Sequence, residues 1–187
     1  MTQANILVAG IGNIFLGDDG FGVEVVQQLK RRQIPESVQV IDFGIRGLDL
    51  GYALMEDRDG VILIDATLRG GEPGSLYVLE PHLDELPDGE PQALTIEAHS
   101  MVPERVLRWV KACKGALPPV RIVGCEPFHL PDADEILHGL SPPVSRVVPN
   151  AVELVLFCIE EFQKQGSPQN PVHSHPLKPV NNLPKDS

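Results

Sequence analysis

Two adjacent carboxylates, Asp18 and Asp19, lie near the end of the segment Gly10-Ile11-Gly12-Asn13-Ile14-Phe15-Leu16-Gly17-Asp18-Asp19-Gly20. A third carboxylate, Asp65, ends the most apolar run of the chain, Gly60-Val61-Ile62-Leu63-Ile64. An imidazole, His99, stands just before Ser100. Together Asp19, Asp65 and His99 form a mixed oxygen and nitrogen set. Such a set suits a borderline divalent ion and leaves positions open for exchange. Singly, each residue has an ordinary explanation. One of the Asp18-Asp19 pair would cap a helix, though capping explains both less well. Asp65 would cap the turn at Ala66-Thr67, and His99 is one of six histidines. Glu97 and Glu126 are alternatives for one carboxylate. His82, His129 and His138 lie in loop-like or polar stretches.

The elements that must position these residues follow from the apolar pattern. Ile6–Ala9, Val38–Ile41, Gly60–Asp65, Leu76–Leu79 and Val120–Cys125 are short apolar runs and are expected to be strands. Helices are expected over about 20–30, 48–55, 100–114 and 144–165, the first carrying Phe21, Val25, Val26 and Leu29 at helical spacing. Ser100 is a reasonable N-cap and Pro103 is tolerated in a first turn. Pro149 is expected to break or kink the last helix. Residues 70–74 form a turn, and residues 81–92 are acidic, proline-rich loop. Strands that alternate with helices, in continuous rather than alternating apolar runs, predict an α/β fold. Its sheet is twisted, mostly parallel, of about five strands, and covered by helices on both faces as a three-layer sandwich. In such a fold the site lies at the carboxyl ends of the strands, where Asp19, Asp65 and His99 would gather.

With 187 residues the chain holds one domain, expected over residues 1–165. Residues 166–187 are proline-rich with almost nothing apolar and are expected to be disordered. His173 and His175 in that tail would at most bind metal adventitiously. A net charge of −11 argues against nucleic acid or an anionic membrane as partner. No apolar run approaches a membrane span, and no signal peptide opens the chain, so a cytoplasmic location is expected. Three separated cysteines give neither a disulfide framework nor a structural zinc site; Cys125 and Cys158 lie in apolar runs and are expected to be buried. No Gly-x-Ser-x-Gly segment or paired Cys–His context supports a serine or cysteine nucleophile.

A nucleotide-binding α/β oxidoreductase is one rival, because Gly10-Ile11-Gly12 follows the first strand. The third glycine of a dinucleotide loop is Phe15 here, and Asp18 and Asp19 stand where a pyrophosphate would sit. A non-enzymatic divalent-metal chaperone is the second.

At these residues the chain resembles the [NiFe]-hydrogenase maturation endopeptidases, the HyaD/HybD-like family. The likeness covers about residues 5–165. Gly10 to Gly22 looks like the family's glycine-rich signature, and Ile62-Leu63-Ile64-Asp65-Ala66 like its second motif. His99 stands in the place of the family's histidine. Val123-Gly124-Cys125-Glu126-Pro127 and Gly139-Leu140-Ser141-Pro142 are similar to its later motifs. The resemblance implies a phosphorylase/hydrolase-like sandwich and an endopeptidase that removes the C-terminal extension of a large-subunit precursor after nickel insertion. It implies that nickel arrives with the substrate and is read by Asp19, Asp65 and His99, a site other divalent ions would also fit. The first of these is often Glu in the family. The family's Asp-Gly-Gly-Thr-like segment reads Asp42-Phe43-Gly44-Ile45-Arg46-Gly47 here, departing at Phe43 and Ile45. This loop, with Asn13, Asp18, Phe43, Gly44 and Arg46, is expected to help recognise the substrate. Asp19 or Asp42 is expected to act as an aspartyl general base, unless the metal itself activates water. A related peptidase with another target, such as a spore protease, fits the same motifs.

Overall fold

The computed structural model describes residues 4–81, 103–131 and 135–165. His99, Ser100, His82 and Glu97, most of the expected acidic loop and the 166–187 tail lie outside them. Strand β1 (Ile6–Ile11) leads through a short 3-10 turn (Gly17–Gly20) into α1 (Phe21–Leu29). Strand β2 (Val38–Gly44), α2 (Gly47–Met55), β3 (Gly60–Ala66) and β4 (Leu76–Leu79) follow, then α3 (Pro103–Lys114), β5 (Val120–Cys125) and α4 (Pro142–Gln165).

The sheet has five strands in the order β2-β1-β3-β5-β4. The first four of these positions are parallel, and β4 lies antiparallel on the edge beside β5. An antiparallel edge strand on a parallel sheet is a common arrangement. Every residue of β1 and β5 is buried, as expected for strands covered on both sides. On one face Val8, Ile62 and Ile64 pack with Phe21, Val25 and Val26 of α1 and with α4. On the other face Leu7, Leu63 and Ile122 pack with Leu50 and Leu54 of α2 and with α3. The expected three-layer α/β sandwich is therefore present.

Two departures from the sequence reading have physical reasons. Strand β2 continues past Ile41 to Gly44, because Phe43 is buried and holds the chain against the sheet. Helix α4 begins at Pro142 and runs unbroken through Pro149. Pro149 has no N–H to give the Ser145 carbonyl, but that loss is one hydrogen bond. The stripe Val144, Val148, Ala151, Val155, Ile159 and Phe162 is buried over the full helix and offsets it. By length and composition α4 is the one helix among the described residues that could cross a membrane. Here its apolar stripe belongs to the core.

Parallel register sets the geometry of the carboxyl edge. Gly10 is level with Asp42 on one side and with Ile64 on the other, and Asp65 is level with Gly124. Because Ile11 pairs with Gly44, Phe43 is an extra residue, a bulge that turns the end of β2. A side chain at Gly22 would put its Cβ 2.1 Å from the Ile64 carbonyl oxygen and 2.3 Å from that of Ile11. Glycine there lets the start of α1 press onto β1 and β3, directly beside Asp65.

Candidate active site

The β1 loop folds back on itself. Gly12 has φ +125°, and its amide donates to the Gly44 carbonyl at 3.0 Å. A Cβ at Gly12 would lie 1.7 Å from the Asp19 carbonyl oxygen, so only glycine fits. The Asn13 N–H donates to Asp19 Oδ2 at 2.6 Å, and Asn13 Oδ1 accepts from the Phe15 N–H at 3.0 Å. The amide that a dinucleotide loop would offer to phosphate is thus taken by the chain's own carboxylate. This geometry leaves the oxidoreductase rival without its phosphate cradle.

Asp19 is half-buried in the 3-10 turn. Burial raises its carboxyl above the ordinary range, and the Asn13 N–H partly offsets the rise. Asp65 is half-buried near the end of β3. Burial pushes its carboxyl well up, the Asp19 charge pushes it further, and the Ala66 N–H works against both. The 3-10 turn that carries Asp19 packs against β3, so Asp19 and Asp65 lie at the same end of the sheet. Neither forms an ion pair with a lysine or arginine among the described residues. Among those residues no three His, Cys, Asp or Glu side chains gather as a metal site. The third member of the expected set, His99, lies outside them. Strand alternation puts Asp65 on the face of Leu63, against α2 and α3, and α3 begins only four residues after His99.

Asp42 is placed differently. It alternates with buried Phe43 and faces α1, where Gln27 Nε2 donates to its Oδ2 at 3.4 Å. It shares the edge with Asp65 but not the side. Phe43 is in the core at 4 % exposure. Gly44 takes φ +54° at the bulge. Arg46 is exposed; its guanidinium donates to the carbonyls of Phe43 and Asp42 and pairs with Asp49 at 3.5 Å. Of this loop only Ile45 and Arg46 offer substantial surface to a partner.

Asp18 is neither a cap nor surface. It is 2 % exposed, and the 3-10 turn has no side-chain cap. Its Oδ2 accepts from the N–H of Phe128 at 2.8 Å and of His129 at 3.3 Å, and from Ser141 Oγ at 2.9 Å. Its Oδ1 accepts from the Ser141 N–H at 2.7 Å. One carboxylate thereby ties the turn carrying Asp19 to the loop after β5 and to the start of α4. It reaches no surface from which to touch a substrate.

Glu126, weighed above as a ligand, is consumed in the same way. At 3 % exposure it accepts from the N–H groups of Arg69 and Gly70 and from the Tyr77 hydroxyl at 2.8 Å. It holds the loop that follows Asp65. Burial alone would raise the Glu126 carboxyl, but the bonds from Tyr77 and from the Arg69, Gly71 and Gly70 amides outweigh burial and lower it. A lowered carboxyl stabilises the fold fully above the ordinary glutamate range, and that stability is lost as pH falls through the lower folded value. Unfolding midpoints measured from pH 6 down to pH 3 are expected to fall less steeply in Glu126→Gln than in the wild type. Equal slopes would show that Glu126 carries none of this linkage.

Two of the three cysteines are closed to a substrate. Cys125 and Cys158 are fully buried, as expected, and Cys113 is exposed on α3. Burial first, then the charges of Asp18 and Glu126, push the Cys125 thiol up to about 12.

The family model for hydrogenase maturation proteases, HycI, matches residues 23–157. The hydrogenase 2 maturation protease of Escherichia coli is 31% identical over 173 residues, covering 90% of this chain and 98% of that protein. The solved E. coli hydrogenase maturating endopeptidase HybD superposes with a TM-score of 0.65 at 31% identity, over 84% of this chain and 93% of that one. A hydrogenase 2 maturation peptidase from a Thaumarchaeota archaeon gives a TM-score of 0.62 at 33% identity, over 83% of this chain and 98% of that one. With the fold and the sequence agreeing over most of both chains, this protein belongs to the hydrogenase maturation proteases and is an endopeptidase.

Proposed function

We propose that this endopeptidase removes the C-terminal extension of a [NiFe]-hydrogenase large-subunit precursor after nickel has been inserted. Nickel is part of the substrate, and Asp19, Asp65 and His99 read it. The observation that carries this is a pair of half-buried carboxylates, Asp19 and Asp65, on a turn and a strand that pack together, without a cationic partner among the described residues. Two such groups are costly alone and are relieved by a divalent cation. Two oxygen donors and an imidazole leave positions for the ligands a substrate brings with its metal. Asp19, the member carried on a turn rather than a strand, holds the nickel through one carboxylate oxygen and acts as general base through the other. It takes a proton from water as oxygen attacks the scissile carbonyl, and returns it to the leaving amine. Asp42, on the α1 side of β2, serves recognition instead, with Ile45 and Arg46 as the exposed part of that loop. The reaction takes place in the cytoplasm, a reducing compartment in which the three thiols stay free as they are here.

The test incubates nickel-loaded and nickel-free precursor with the protein and follows intact mass. The expected result is loss of one C-terminal peptide from the nickel-loaded form alone. Cleavage of both forms keeps the peptidase and removes the nickel reading. Tight nickel binding without cleavage of any precursor would mark a divalent-metal chaperone.

A further inference from the structure

Seven of the ten large apolar side chains exposed among the described residues stand in the loops at the carboxyl edge of the sheet. Ile14 and Phe15 follow β1, Ile45 follows β2 and Leu68 follows β3. Phe128 follows β5, and Ile136 and Leu137 precede α4. Phe128, Leu68 and Ile136 are the most open, at 66%, 70% and 74%. The opposite edge is different. Its turns carry Arg31, Arg32, Glu56, Asp57, Arg58 and Asp59, and none of the exposed large apolar residues lies there. Scattered apolar exposure needs no explanation, but an apolar rim that, among the described residues, gathers in the loops at one edge of the sheet does.

The rim is also built to hold its shape. The Leu137 N–H donates to the Phe15 carbonyl at 2.8 Å, and the Gly17 N–H to the Leu137 carbonyl at 2.6 Å. Phe128 hangs from the Asp18 carboxylate through its N–H, and Leu68 immediately precedes the Arg69 amide held by Glu126. The two buried carboxylates thus fix the loops that carry the rim around Asp19 and Asp65. From β2 to β5 there are three strand spacings, about 14 Å, the reach of an extended peptide of about four or five residues.

We propose that this rim is the docking surface for the protein substrate. It receives an extended, apolar segment free of acidic side chains, laid across the strand ends on both sides of Asp19 and Asp65. This deepens the proteolytic reading above and rests on it. Charge decides between occupants. Asp19, Asp42 and Asp65 sit at this edge and the chain carries −11, so an acidic segment or a second copy of this chain would be repelled.

The test compares KM and kcat of the wild type with those of Leu68→Ser, Phe128→Ser and Ile136→Ser on the precursor used above, with thermal unfolding as control. These side chains are exposed, so unfolding midpoints are expected to stay put. Each substitution is expected to raise KM about tenfold and to leave kcat within about twofold. An unchanged KM overturns the proposal and leaves the proteolytic reading standing. A fall in kcat with KM intact also overturns it, since the loops would then act on the carboxylates alone. Sedimentation of the wild type as a dimer that Phe128→Ser dissociates would assign the rim to self-association instead. Failure of the reading beneath it looks different: the wild type itself cleaves no precursor, and both fall together.

Discussion

Asp65→Asn is expected to give a protein that is more stable and nearly inactive. Asparagine keeps the shape of the side chain and its capacity to accept from the Ala66 N–H. It removes the charge that burial and Asp19 both disfavour. Sites built to bind a cation carry this strain while the cation is absent, and relieving it commonly stabilises a fold by roughly 1 kcal/mol at the cost of function. Urea unfolding at neutral pH, without metal, measures the gain. Precursor cleavage followed by intact mass measures the loss, expected on the order of a thousandfold or more. Asp19→Asn is expected to follow the same direction, with a smaller stability gain, since its carboxyl is raised less and the Asn13 N–H already supports it. A variant that is destabilised and still active would show Asp65 to be a strand-end structural residue.

Asp18→Ala is expected to do the opposite, although it differs from Asp19 by one position. Asp18 is buried and accepts from Phe128, His129 and Ser141. Removing the carboxylate strands those donors and leaves the 3-10 turn untied from the loop after β5. Loss of a buried, fully hydrogen-bonded charge of this kind costs about 3–5 kcal/mol. The expected readout is a large drop in the urea midpoint. Ser141→Ala, which deletes only the hydroxyl donor, is expected to cost about 1 kcal/mol. If Asp18→Ala unfolds at the wild-type midpoint while cleavage is lost, Asp18 touches the substrate and the anchoring role fails.

These neighbours show where sequence reading works and where it stops. The strands were legible because Ile6–Ala9, Gly60–Asp65 and Val120–Cys125 are too apolar for any place but a covered sheet. Placing Asp65 at the carboxyl edge then followed from strand order alone, and β1 and β3 are indeed neighbours. The motifs around Glu126 and Ser141 were legible only as likeness. Their physical content is a set of hydrogen bonds between residues 110 and 123 positions apart for Asp18, and 57 apart for Glu126 with Arg69. No periodicity encodes such pairs. The 3-10 turn was invisible for a related reason, since four residues are too few to carry a pattern. Of the break or kink expected at Pro149, the break is absent because a local rule met a helix whose apolar stripe is buried in the core. Asp42 looked equivalent to Asp19 in the sequence. Only the alternation of β2, fixed by Phe43, puts it on the α1 side.

The central claim is that carboxylates of this chain bind the nickel carried by the substrate. The most direct measurement is nickel K-edge X-ray absorption on nickel-loaded precursor, alone and in complex with the protein. A gain of oxygen and nitrogen scatterers on complex formation, lost in Asp65→Ala, is the predicted result. A nickel spectrum that does not change when the protein binds would contradict it.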